Sequence, residues 1–226
     1  MWIIELVIRL LMFAAGVVIV LGVLTSAIRS FVLARSARDS LTSLVFRVSR
    51  NLFEMNLRKQ ATYSDRDRVM AMFAPLTLIS LPIIWLIIVW LGYAVMYIAI
   101  GVNTLQRALI LSGSSLLTLG IANEDNFGLM LLEFSEAVIG LILIAILIAY
   151  LPTMYAAFSS REKQVTLLEV RAGSPPSAAD MLIRAHSIQG LAVMHGVFIT
   201  WEEWFAEVEE THTSLPALVF FRSTKP

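Results

Sequence analysis

Ser115-Leu116-Leu117-Thr118-Leu119-Gly120-Ile121-Ala122-Asn123 separates a short apolar segment from a long one. The segment before it begins near Thr104 and reaches Leu117 in about 14 residues. A helix needs roughly 20 residues to cross a bilayer, so this one is too short to span. In lipid every backbone N–H and C=O needs a partner, so non-helical chain survives at depth only where it lines a cavity or is buried in protein. A helix over Thr104–Leu117 that enters partway and returns through Thr118-Leu119-Gly120-Ile121-Ala122 satisfies that rule. An extracellular loop carrying a short surface helix is the other arrangement the pattern allows.

The whole chain agrees with a lipid setting. Of 226 residues, 58% are hydrophobic and 15% charged, and mean hydropathy is +0.79. Soluble domains sit nearer half apolar and a quarter charged. Formal net charge is zero, so no global field points to nucleic acid or to an acidic substrate. The absence of cysteine removes disulfide frameworks, thiolate metal sites and cysteine nucleophiles together.

Three spans are expected. The first covers about Trp2 to Leu33, uncharged between Arg9 and Arg29; the second follows Arg68 to about Gly101. The third covers about Leu129 to Phe158, uncharged between Glu136 and Arg161. The N-terminus lacks a basic leader region and carries Glu5 early, so it is expected to be a retained span rather than a signal peptide. The chain then divides into an N-terminal span (residues 1–34), a basic connector (35–68), a central module (69–160) and a C-terminal region (161–226).

Loop charge sets the orientation. The connector holds Arg35, Arg38, Arg47, Arg50, Arg58, Lys59, Arg66 and Arg68 against Asp39, Glu54, Asp65 and Asp67, and Arg161, Lys163 and Arg171 follow span three. Positive residues stay cytoplasmic, which places the N-terminus outside, the tail inside, and the acidic Glu124-Asp125 segment outside. Within the connector, Leu41, Leu44, Val45, Val48, Leu52 and Met55 share one helical face. That predicts an amphipathic helix, either on the inner membrane surface or extending span one against neighbouring chains. Ser64-Asp65-Arg66-Asp67 has the form of a capping box at the start of span two, and Pro75 and Pro82 are expected to kink that span early.

After Ser160 the composition turns to that of a small, mainly helical cytoplasmic tail. Ser174-Pro175-Pro176 predicts a helix start, Gly190 its stop, and Thr200-Trp201-Glu202-Glu203 a capping box opening a helix to about Glu210. Leu215 to Phe221 is expected as a strand or the first part of a helix. About 65 residues make only a marginal independent core, so the tail is expected to pack against other chains or to continue further.

The order of long helix, dipping helix, Thr-x-Gly loop and long helix resembles the pore module of the potassium-channel superfamily, whose pattern is roughly T-x-x-T-x-G-Y-G-D. Ser115 stands for the first Thr, Thr118 for the second and Gly120 for the first Gly, while Ile121, Ala122 and Asn123 replace Tyr, Gly and Asp. The resemblance covers about Ala71 to Ser160. Tyr150 to Pro175, with Arg161-Glu162 and Arg171-Ala172-Gly173, looks like bacterial two-pore-domain-type, ion-channel-like membrane proteins.

That resemblance implies an all-α, multi-pass protein of the cell (inner) membrane, a homotetramer with one re-entrant pore helix and filter loop per chain. It implies a passive, K⁺-permeable cation channel. The filter would be Thr118, Leu119, Gly120, Ile121 and Ala122, whose carbonyls, with the Thr118 hydroxyl, replace water around a permeant monovalent cation. The family's second glycine uses backbone that is costly for a residue with a Cβ. Ala122 therefore implies a reshaped outer half and reduced selectivity. Ser115 and Glu136 are expected to support the filter. Glu133 and Glu136, one turn apart, would brace it through backbone N–H groups or through Ser114 and Ser115; a snorkelling surface position is the alternative, more so for Glu133. Asn123, Glu124 and Asp125 form the expected outer vestibule, with acids there either concentrating cations or keeping a turn soluble. Gly140 and Pro152 are gating candidates or packing residues.

A second function class is a non-conducting sensor or scaffold that retains a degenerate pore loop. No enzyme is expected. His186, His195 and His212 lack metal-ligand spacing, and no Walker or dinucleotide-binding loop is present. Ser112-Gly113-Ser114 has no histidine or acid partner assignable to a triad. Trp201 and Trp204 are expected in a core or interface. No cofactor and no nucleic-acid partner is expected, and no ligand of the tail is assigned.

Overall fold

The computed structural model describes residues 2–31, 40–56, 63–173, 175–188, 190–215, 218 and 221. They form seven helices: α1 (Trp2–Phe31), α2 (Ser40–Asn56), α3 (Tyr63–Ile100), α4 (Leu105–Leu116), α5 (Phe127–Ala172), α6 (Ala178–Ile188) and α7 (Val193–Ser214). Three of them, α1, α3 over Pro75–Ile100, and α5, are long and apolar enough to cross a membrane. Two compact units divide the chain, Met1–Met55 with Pro75–Tyr150, and Asn56–Ala74 with Leu151–Pro226.

The first unit is organised around α3. Trp85, Val89, Tyr93 and Tyr97 follow one face at helical spacing, and all four are buried. On α1, Gly16 lies under Met96 with its Cβ position 2.8 Å from the Gly92 carbonyl, while a Cβ on Gly92 would meet Val20 and Ile19 at 3.2 and 3.3 Å. Small residues let two helix backbones approach where lipid offers no hydrophobic drive for association. α3 stays helical through Pro75 and Pro82. The connector helix was expected over residues 41–55, and α2 fits it. Val45 is buried and Leu41 packs on the same core, and Ser30 Oγ meets Thr42 Oγ1 at 2.6 Å. Leu44, Val48, Leu52 and Met55 remain exposed. The side chains of Ser64 to Asp67, the expected capping box, lie outside the described residues.

α5 runs 46 residues, through Pro152 and well past Phe158, to Ala172. At about 1.5 Å per residue that is roughly 70 Å, more than twice the hydrocarbon thickness of about 30 Å. No helix breaker follows Pro152 until Gly173, where φ is +85° and the N–H bonds the Glu169 carbonyl at 2.8 Å.

In the second unit Ala172, Met181, Met194 and Val197 form a small core with Leu168, Ala185 and Trp201 packed on it. α6 opens at Ser177, whose hydroxyl accepts from the Asp180 N–H at 3.3 Å; Ser174 lies outside the described residues. Gly190, at φ +78°, follows its end. The box at Thr200 does not open a helix. α7 starts at Val193, and the Thr200 hydroxyl bonds back to the Gly196 carbonyl at 2.9 Å. Because Val193–Ile199 is already helical, the N–H groups just after Thr200 have intrahelical partners and none is left to cap. Beyond α7, Leu218 N–H bonds Leu215 O at 2.9 Å and Phe221 N–H bonds Leu218 O at 3.0 Å; the rest of the expected strand or helix over Leu215 to Phe221 lies outside the described residues. Arg161 donates to the Phe221 carbonyl at 2.8 Å, and Ser160 to Glu207 at 2.7 Å.

Candidate functional site

Thr104 has extended backbone, φ −132° and ψ 142°, and its hydroxyl accepts the Arg107 N–H at 3.2 Å. This is an N-cap, and it starts α4 at Leu105 as the sequence suggests. At the other end Thr118 N–H bonds Ser115 O at 3.0 Å and Leu119 N–H bonds Ser114 O at 2.8 Å. Those two bonds define a Schellman turn, which places its next residue in the left-handed region. Thr118 occupies that place at φ +53°, where glycine is usual, and it is the sole non-glycine with positive φ among the described residues. Gly120 follows at φ +67°. The backbone therefore alternates in handedness from Thr118 through Ile121, and Ala122, which is not at positive φ, breaks the alternation.

The loop returns to α4. Ser114 Oγ accepts from the Ala122 N–H and donates to the Ala122 carbonyl, both at 3.0 Å. Ala122 is buried, whereas Leu117, Leu119 and Ile121 are exposed at 51%, 57% and 74%. Its oxygen is engaged by α4, whereas residues Thr118 to Ile121 are exposed. One turn into α4, Arg107 donates to Glu124 at 3.0 Å and to the Asn123 carbonyl at 3.2 Å. Glu124 is thus half of an ion pair, and Asp125 is the exposed acid beside it.

Two flanking helices hold α4. On α3, Trp90 Nε1 donates to the Leu109 carbonyl at 2.9 Å, and Ser112 Oγ lies 2.9 Å from the Trp90 carbonyl. On α5, Glu136 is fully buried; Tyr97 donates to its Oε2 at 2.9 Å, and its Oε1 contacts Ser112 Oγ. Gly140 faces the Leu116 carbonyl so closely that a Cβ has no room. Ser112 pairs with Glu136 and Leu116 with Gly140, four residues on in each helix, so α4 and α5 run the same way along this contact.

Glu136 meets a different serine from the two expected. Glu136 reaches Ser112, while Ser114 is committed to Ala122 and Ser115 to its own helix at Leu111 O, 3.0 Å. The reason is register: Ser112 and Leu116 share the face of α4 that meets α5, and Ser114 and Ser115 lie off it. Glu133 sits beside the Glu124 backbone with Oε1 buried and unpartnered. Gly140 packs against α4, and Pro152 is an exposed interior residue of α5. Sequence reasoning missed Trp90, Tyr97 and Arg107. Tyr93 and Tyr97, one turn apart in an apolar run, were the available signal, since a buried phenol in lipid needs a polar partner on a neighbouring helix.

Among the described residues no group of three or more His, Asp and Glu side chains could hold a metal ion. No protein-family model, curated protein or solved structure matches this chain.

Proposed function

We propose that this chain is a subunit of a membrane cation pore permeable to K⁺, with four copies around one axis and residues 118–121 of each lining the path. The observation that carries this reading is the seat of Leu116 on Gly140. Gly140 lies about 13 residues into α5, roughly 20 Å along it at 1.5 Å per residue. The following residues stay uncharged to Arg161. A 12-residue helix that runs beside a spanning helix and ends at that depth supports a re-entrant dip, with the loop inside the bilayer's thickness. Its C-terminal end carries partial negative charge toward the loop, which favours a cation. Thr118 adds support. Sparsely populated backbone costs on the order of 1–3 kcal/mol, so a threonine where glycine is unstrained argues for a task for its hydroxyl.

Lys and Arg in the connector and after span three favour an outside N-terminus and a cytoplasmic tail in the cell membrane. A second reading, a non-conducting sensor or scaffold, draws on Ala122, whose buried carbonyl is occupied by Ser114.

Purified protein in liposomes should pass K⁺ down its gradient without an energy source, and Thr118→Ala should reduce that flux. Folded, correctly inserted protein that passes neither K⁺ nor Na⁺ removes the pore and leaves the scaffold.

A further inference from the structure

Three oxygen–oxygen contacts run in series through the buried junction of α3, α4 and α5. Tyr97 Oη meets Glu136 Oε2 at 2.9 Å, Glu136 Oε1 meets Ser112 Oγ, and Ser112 Oγ meets the Trp90 carbonyl at 2.9 Å. Each contact needs one proton between its oxygens. The Trp90 carbonyl only accepts, and a serine or tyrosine hydroxyl supplies one proton each. Ser112 therefore spends its proton on Trp90, and Tyr97 spends its own on Oε2. The contact between Ser112 and Oε1 is left without one unless the carboxyl provides it.

The surroundings agree. Glu136 has no exposed surface, and among the described residues no basic side chain pairs with it. Its titratable neighbours are Glu133 on its own helix and Tyr93 and Tyr97 on α3; Arg107, on α4, is turned to Glu124. A carboxylate buried with acids and phenols and no cation is costly, whereas a neutral acid with both oxygens bonded is satisfied. Tyr93 obeys the same counting. Ser135 gives its proton to the Leu132 carbonyl at 2.8 Å, so Tyr93 must donate across the 2.9 Å contact to Ser135.

We propose that Glu136 is a carboxylic acid carrying its proton on Oε1, and that it positions α4 by donating to Ser112 in a one-way relay from Tyr97 to the Trp90 carbonyl. The acid's role is that of a donor and no charge is required of it. It joins three helices behind the loop that follows α4. The inference concerns the site proposed to conduct, but it stands on proton counting and is tested without ion flow.

Infrared spectra of the full-length protein at neutral pH should contain the C=O stretch of a protonated carboxylic acid. That band should shift in D₂O, vanish in Glu136→Gln, and change frequency in Tyr97→Phe, which removes the bond to Oε2. Glu136→Gln should keep thermal stability close to wild type, because an amide donates to Ser112 and accepts from Tyr97. Glu136→Ala should lose it. A wild-type spectrum with no protonated-acid band overturns the proposal. So does a band that survives Glu136→Gln and is indifferent to Tyr97→Phe. If Glu136→Gln does not fold, the wild-type band and its response to Tyr97→Phe still decide the matter.

Discussion

Ser114 Oγ bonds both backbone groups of Ala122, accepting from its N–H and donating to its carbonyl, each at 3.0 Å. One hydroxyl thereby closes an eight-residue excursion of the chain onto the helix that precedes it, and the exposed loop between them hangs from that closure.

Ser114→Ala should release the loop. Losing one buried hydroxyl with two partners should cost about 2 kcal/mol, most of it from the Ala122 groups left unpaired. Ser115→Ala removes a hydroxyl that donates back to its own helix, at the Leu111 carbonyl, and should cost less, under about 1 kcal/mol. Thermal unfolding in detergent compares the two; equal effects would contradict the closure.

Gly140→Ala should be strongly destabilising, by about 1–3 kcal/mol, because the new methyl meets the Leu116 carbonyl, which is backbone and cannot swing away. Gly196→Ala, with nothing within 4 Å of its Cβ position, should be neutral or stabilising by up to about 1 kcal/mol. A Gly140→Ala protein with wild-type unfolding would remove the contact on which the proposed dip of α4 rests.

In a conducting protein, selectivity should be limited by Ile121 and Ala122. Ala122→Gly admits the left-handed backbone that costs Ala roughly 1–2 kcal/mol, and Ile121→Tyr supplies a hydroxyl where the isoleucine side chain cannot hydrogen-bond. The double substitution should raise K⁺ over Na⁺ preference, read as reversal potential under opposed gradients. A wild type already strongly K⁺-selective and unchanged by both substitutions would refute this account of the loop.

In a conducting protein, charge just beyond Asn123 should divide unequally. Glu124 is held by Arg107 at 3.0 Å, whereas Asp125 is exposed. Asp125→Asn should therefore lower cation conductance at low salt more than Glu124→Gln does. The gap should close near 1 M salt, where the Debye length is about 3 Å.

The chain has no cysteine, so single cysteines report sidedness without interference. Substituted at Asp125 and at Ser187, both exposed, they should react with an impermeant thiol reagent from opposite faces of the membrane. Reaction of both from one face would overturn the orientation drawn from loop charge.

The helices were more legible in the chain than their boundaries: α5 continues to Ala172 beyond the expected Phe158, and α7 begins at Val193 rather than Thr200. Apolar length alone marked α1, α3 and α5, because a span needs about 20 uncharged residues and little else supplies them. The start of α4 near Thr104 was marked by where the short apolar segment begins, and the amphipathic face of α2 was visible in its spacing. Thr200 misled, because capping residues are also tolerated inside helices when their hydroxyl can bond back to a carbonyl one turn earlier.

The site was legible in part. The sequence by itself pointed to a short helix ending in a loop built on Thr118 and Gly120, and it set Glu136 in an apolar helix while leaving a surface position open for it. Only the tertiary structure decided what those residues meet. Which face of α4 turns to α5 depends on crossing geometry, so the choice of Ser112 over Ser114 or Ser115 as partner of Glu136 was open until the helices packed. The same holds for the seat of Leu116 on Gly140, the clasp of Arg107 on Glu124 and the commitment of Ser114 to Ala122. Local propensity is set by a residue and its neighbours in sequence, whereas a hydrogen bond across 24 residues depends on the register in which two helices come to rest.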